Sequence, residues 1–249
     1  MAAPIQKLAS FARNVFSRMN SDVNFHDKLK HLRTMINGIS AKDVGFDIED
    51  LKKSETYGRD EVAPVTYVHL WEDETFSMGI FVVKPGGRLP LHDHPDMYGF
   101  CKVIHGEMMV RSFNVIKTSE QTEMPYEIKS KLKLWQMPQT KQVKLNTESL
   151  VADNDECCVL NPAIGNIHEI KPVNGTTAFL DILAPPYDHQ QMGLHECHYY
   201  EDLSCGSGDL RWLSLINQPS DFWCDALEYE GPKIDLPPLS PKSIQDVSC

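Results

Sequence analysis

Leu91-His92-Asp93-His94-Pro95 follows a turn signal, Pro85-Gly86-Gly87, and precedes an apolar stretch, Tyr98 to Ile104. On a β-strand, residues two apart point to the same face, so His92 and His94 aim two imidazoles at one point. A third histidine has a comparable setting. Asn161-Pro162-Ala-Ile-Gly165-Asn-Ile-His168 is another Pro/Gly turn that feeds a histidine onto a strand. Three imidazoles brought together in this way form a candidate metal site. Imidazole suits zinc, copper, iron and nickel, so these residues alone leave the metal open.

The flanking sequence has the texture of a β-protein. Val65–Leu70, Phe76–Val83, Tyr98–Ile104 and Glu107–Val115 are β-branched and aromatic runs, the last two placed around a turn at His105-Gly106. Cys157–Leu160, Asn166–Ile170 and Thr176–Leu183 read as further strands. Pro172-Val-Asn-Gly175 reads as a hairpin turn between the last two. Residues 117–145 are polar and read as an insertion loop with at most a short strand. Apolar residues recur at helical spacing through Ile5, Leu8, Ala12, Val15, Phe16 and Met19, then Phe25, Leu29, Leu32 and Ile36. The pattern predicts helix over 5–37, ending near Gly38, with a further turn or helix in 41–50. Residues 2–21 carry Lys7, Arg13 and Arg18 and no acid, as a mitochondrial transit peptide does. The alternative is an amphipathic helix packed on the barrel. The loop Ser204–Gly208 reads as flexible, and the proline-rich tail after Gly231 as extended over the surface.

The bulk properties exclude several classes. A net charge of −11 and no strongly basic stripe argue against nucleic acid and anionic membranes. No apolar run approaches the length of a membrane span. The seven cysteines are odd in number and irregularly spaced, without a CxxC pair, which points to reduced thiols inside a cell. The expected compartment is the cytoplasm, with mitochondrion and nucleus as alternatives. One domain is expected over 1–249: a helical segment at 1–50, a barrel at 60–200 and a C-terminal extension at 201–249.

The spacing Gly86-x5-His92-x-His94 with Gly106 resembles the first cupin motif, and Pro162, Gly165 and His168 resemble the second, with one extra residue between proline and glycine. The resemblance implies a mainly β fold: a cupin, or double-stranded β-helix (jelly-roll), barrel behind N-terminal helices. Many cupins carry a glutamate shortly after the histidine pair. Here those positions hold Met97, Tyr98 and Gly99, and Asp96 comes too early. The donor set is therefore three neutral imidazoles, which leaves room for an anionic ligand such as a thiolate.

Pro90-Leu-His-Asp-His-Pro-Asp-Met-Tyr-Gly99, Val103-Ile-His-Gly106, Phe179-Leu-Asp-Ile-Leu-Ala-Pro-Pro-Tyr187 and Cys197-His-Tyr-Tyr200 narrow the resemblance to thiol dioxygenases of the cysteamine dioxygenase and plant cysteine oxidase type. That resemblance implies one Fe(II) per chain on His92, His94 and His168, and O2 as co-substrate. It also implies thiol substrates: cysteamine, or proteins with an N-terminal cysteine, in the second case with a role in oxygen sensing. It further implies that Tyr187 lines the site and that Cys197 and Tyr199, which share a face on a strand, can form a thioether crosslink.

Asp181 lies in an apolar strand, where a carboxylate is costly to bury without a partner. If the hairpin reading holds, its strand runs back beside that of His168. Asp181 then has two candidate partners, a substrate ammonium or a ligand histidine; a purely structural role is the alternative. Tyr98 is a weaker substrate-side candidate, with core packing as its alternative. His105, His195 and His198 are not expected to be ligands. No arginine has the context of a carboxylate clamp, so a substrate without a free carboxylate fits better. The expected state is a monomer. Two other classes fit the triad: a zinc or manganese cupin acting as isomerase or hydrolase, and a cupin ligand-binding module without catalysis.

Overall fold

The apolar repeat at the N-terminus forms two helices in the computed structural model, which describes residues 2–19, 21–49, 62–188, 195–204 and 208–238. They are α1 (Pro4–Phe16) and α2 (Phe25–Asn37). Pro4 opens α1, where its missing N–H has no helical partner to lose. The expected single helix is interrupted after Phe16. There Asp22 accepts the Asn24 backbone N–H at 2.8 Å, a side-chain turn that competes with helix. Ile5, Leu8, Ala9, Ala12 and Val15 are fully buried, in one cluster with Phe76, Met78, Ile80, Leu180 and Ile182. The face that resembles a targeting helix is thus part of the core.

The rest is mainly β. Ten strands form one sheet: β1 (Val65–Glu72), β2 (Ser77–Val83), β3 (Leu89–Asp93), β4 (Tyr98–Val115), β5 (Thr140–Ala152), β6 (Cys158–Leu160), β7 (Ile167–Ala184), β8 (Tyr199–Asp202), β9 (Leu210–Ile216) and β10 (Cys224–Leu227). Their order is β10-β1-β2-β7-β3-β8-β9-β5-β4-β6, with β4 also paired to β7. That extra pairing closes the circuit β7-β3-β8-β9-β5-β4 into the expected cupin barrel. Closure leaves those strands without a free edge. Its interior holds Leu89, Cys101, Val103, Val110, Ile170 and Phe179.

Several expectations need correction. The turns at His105-Gly106 and Pro172–Gly175 do not end strands. β4 and β7 run through them, antiparallel along their whole lengths. The register moves from His105↔Ala178 to Glu107↔Val173, so β7 carries extra residues opposite Gly106. Asn174 (φ 57) and Gly175 (φ 146) form this bulge. A Cβ at Gly106 (φ 75) would lie 2.5 Å from the Thr176 carbonyl oxygen, so glycine is required at the bend. An Asn-Gly pair supplies the positive φ that a hairpin turn and a bulge both need, which is why the two look alike in sequence.

The insertion contains the short helix α3 (Tyr126–Lys129) but gives way at Thr140 to a strand of thirteen residues. Strands also continue past residue 200: β9 within the barrel and β10 at the end of the sheet, beside β1. The tail is not a surface strap: Ile234 and Leu236 are buried in the helix-side cluster. Gln6 brackets Asp235, donating to its carbonyl at 3.0 Å and accepting its N–H at 2.7 Å. Residues 205–207 of the glycine-rich loop lie outside the described residues.

Candidate metal centre

His92 stands directly opposite His168 across the β3–β7 pair, so the two rings share the inward face. His94 follows the last residue of β3. The three residues form one candidate cluster, with ligand atoms within 4.8 Å of one another. All three are buried.

The second nitrogen of two of the rings is committed elsewhere. His92 Nδ1 lies 2.7 Å from the Pro90 carbonyl, which can only accept, so the Nδ1–H donates and Nε2 keeps its lone pair. Tyr187 donates its hydroxyl proton to the Asp93 carbonyl at 2.7 Å. The Tyr187 hydroxyl oxygen itself lies 2.7 Å from His94 Nδ1 and accepts its N–H. The tautomers follow from these partners. His94 Nε2 and His168 Nε2 are 3.0 Å apart. With His94 Nε2 unprotonated, His168 Nε2 either donates to it or turns a second lone pair toward a cation held between them. Nitrogens about 2.1 Å from a common ion at a right angle would show this separation. The donor set fits a divalent transition metal.

Burial lowers the pKa of all three imidazoles, most strongly for His94 and His168, where the neighbouring histidines add to the effect. They are therefore neutral near pH 7, the form a metal requires.

Asp93 points to the face opposite His92. It accepts the His198 backbone N–H and Nδ1–H, each at 3.0 Å, and the Tyr200 hydroxyl at 2.7 Å. Lys141 Nζ is 3.4 Å away and also donates to Tyr200 at 2.5 Å. This network, centred on the buried Asp93 carboxylate, ties β3 to β8 and β5 directly behind the ligands. The sequence reading missed it. The signal was present, since a residue between two inward histidines must face outward, but its partners lie far along the chain.

Asp181 is reached differently than expected. It lies on the same strand as His168, beyond the bulge, and is directly opposite Cys101 and Gly79. Its side chain makes no hydrogen bond among the described residues, so contact with a ligand histidine drops out. Burial raises its pKa to about 7. Its charge contributes to raising the pKa of Tyr187, which places both groups on one interior space.

Tyr199 stands opposite His92 across β3–β8. The Cys197 thiol is hydrogen-bonded to both Tyr187 and Tyr199, and burial lifts its pKa to about 11. Tyr98 is not part of this group. It packs edge-on against Phe25 of α2 at 5.3 Å, on the helix side of the sheet, and its expected substrate role is corrected to core packing. His105 contacts Phe46, and His198 serves Asp93. Arg88 pairs with Asp221, and Arg111 with Glu169 and Asp202, so both are engaged away from the triad.

The protein-family model described as PCO_ADO matches residues 35–234. The chain is 32% identical to 2-aminoethanethiol dioxygenase of Mus musculus, over 94% of this chain and 97% of that protein. It is 31% identical to the Homo sapiens protein of the same name, over 84% and 82% of the two chains. It is 28% identical to Plant cysteine oxidase 2 of Arabidopsis thaliana, over 94% and 84%. A match across most of the chain, with three inward histidines at its centre, shows that this protein belongs to the PCO_ADO family.

Proposed function

We propose that this single-domain chain is an Fe(II) thiol dioxygenase, adding both atoms of O2 to a thiol sulfur to give a sulfinic acid. The observation that carries this reading is a buried triad of neutral imidazoles with no carboxylate beside it, in a chain of this family. Iron held by His92, His94 and His168 would supply adjacent open positions for thiolate and O2, and would favour the deprotonated thiol.

The chain's own groups account for the rest. Asp181 is a carboxylate without a cation, and it receives the ammonium next to the substrate thiol. Tyr187 holds His94 in the tautomer that faces the metal. The apolar interior excludes water. The amine fits cysteamine, named in the mouse and human relatives, and equally the N-terminus of a polypeptide that begins with cysteine; the latter would let the reaction report oxygen. Cys197 and Tyr199 would form a thioether. In that step a sulfur–carbon bond forms, the S–H and ring C–H hydrogens leave, and O2 takes the two electrons. Peptide mapping that shows the loss of two hydrogens supports the crosslink, and unmodified peptides after turnover rule it out.

The test of the main reading is aerobic incubation with cysteamine and with a Cys-initiated peptide. The expected product is heavier by one dioxygen, about 32 Da. Disulfide as the only product would refute it.

A further inference from the structure

Asp181 has a cysteine for a neighbour, and that cysteine has another. On β4, Cys101 stands directly opposite Asp181 of β7 and, on its other side, directly opposite Cys158 of β6. Residues opposite one another in a sheet share a face, so the three side chains form one row across the interior. Cys101 is buried in the interior cluster, and Cys158 packs against it. Two residues along the same strand pair, a Cβ at Gly99 would lie 2.8 Å from the Leu160 side chain, so β4 and β6 are in close contact on this face. Directly opposite residues of an antiparallel pair have Cα atoms about 4.5 or 5.5 Å apart, and both spacings fall within the roughly 4.4–6.8 Å that a disulfide spans. The adjoining Cys157 belongs to the helix-side cluster, and its backbone N–H is tied to the Asn37 side chain at 2.8 Å.

The two thiols, both reduced in this structure, differ in access. Cys101 is buried, whereas Cys158 is half-buried on β6, the terminal strand of the sheet. Burial pushes the Cys158 thiol up to about 11. Burial, and then the neighbouring Cys158, hold the Cys101 thiol well above its ordinary value. Both are protonated near pH 7, so the pair reacts slowly and stays reduced until an oxidant is in excess. An amine-bearing disulfide suits this role, since a chain of net charge −11 attracts cations.

We infer that Cys101 and Cys158 are a reversible redox pair that closes to a disulfide beside Asp181 when a small aminothiol disulfide is in excess. The Cys158 thiolate attacks one sulfur of the small disulfide, whose S–S bond breaks, and one small thiol leaves. The Cys101 thiolate then attacks the Cys158 sulfur of the mixed disulfide, and the second small thiol leaves. Two protein thiols are oxidised, one small disulfide is reduced to two thiols, and the two protein protons pass to the leaving thiolates. Closure turns the Cys101 sulfur toward Cys158 and fixes the strand beside Asp181, which alters the amine site. The pairing is independent of the dioxygenase reading; its effect on the amine rests on that reading.

The test is anaerobic incubation of the iron-loaded protein with cystamine, the disulfide of cysteamine, and cysteamine at varied ratio, followed by acid quench, alkylation and peptide mapping. The expected result is a Cys101–Cys158 linkage that forms at a high cystamine fraction and is undone by cysteamine. Cys224, exposed and opposite Val65, should instead hold one cysteamine, which shows that the reagent reaches the protein. Reversal by thiol distinguishes this linkage from a thioether at Cys197. In the oxidised protein the initial kcat/KM for cysteamine should fall about threefold and recover with dithiothreitol, and Cys158→Ser should keep its basal activity and show no such fall. A mixed disulfide at Cys158 without closure, or two untouched thiols beside a labelled Cys224, would overturn the pair. A closed pair with unchanged kcat/KM would overturn its link to Asp181. A closed pair in a protein that oxidises no thiol would leave the pair standing and overturn the dioxygenase reading.

Discussion

Asp93 and Asp181 are both carboxylates on barrel strands, and the fold treats them in opposite ways. Asp93 is 4% exposed and collects donors from His198, Tyr200 and Lys141. Asp181 has no donor among the described residues, and burial raises its pKa to about 7. A carboxylate with its donors in place serves the scaffold. One left without them costs stability and makes sense where a ligand supplies the missing cation. The region behind β3 is thus finished before any ligand arrives, and the region inside the barrel is not.

The largest effect that separates the two regions should come from Asp93→Ala. Removing Asp93 leaves the Tyr200 hydroxyl and the His198 amide without their acceptor, while Lys141 stays partly solvated, at about 1–3 kcal/mol. Thermal unfolding should show a large loss, and Asp93→Asn should recover part of it. A variant as stable as wild type would break the comparison.

Asp181→Asn should leave the fold intact and lower kcat/KM for cysteamine about a hundredfold, since the ammonium then loses its charged partner. A thiol without an amine should be little affected. Equal losses for the two substrates would show that Asp181 acts on something other than the ammonium.

The third prediction concerns pH. The folded pKa of Asp181, about 7, lies above the ordinary 3.8, so the folded state holds this proton more tightly than the unfolded state. Its contribution therefore favours folding at low pH and is lost as pH rises from about 4 through about 7. Metal-free wild type should lose stability over that range relative to metal-free Asp181→Asn. Parallel pH curves for the two proteins would contradict the assignment.

The smallest effect is expected from Tyr187→Phe. His94 loses the acceptor of its Nδ1–H, and metal affinity should fall about tenfold, as for other groups that orient a ligand. Competition with a chelator measures it.

The metal ligands were legible because they depend on local rules: the alternation of a strand and the Pro/Gly turns before it. The barrel followed from its apolar strands. The polar β5 did not, since only part of it faces inward and it resembles a loop. The bulge at Asn174-Gly175 was read as a hairpin because both use the same backbone angles. This put Asp181 in the right space for the wrong reason, on a strand continuous with that of His168. Tyr98 shares a face with Phe100, both packed toward the helices, but alternation alone does not say which face is inside. The network at Asp93 draws on β5 and β8, and its partners become visible only once the barrel closes.

The most direct test of the account is the metal content of purified wild type and His168→Ala, with folding checked by circular dichroism. The account predicts one iron per wild-type chain and almost none in a folded variant. Metal retained in the variant, or zinc in a wild type that oxidises no thiol, would contradict it.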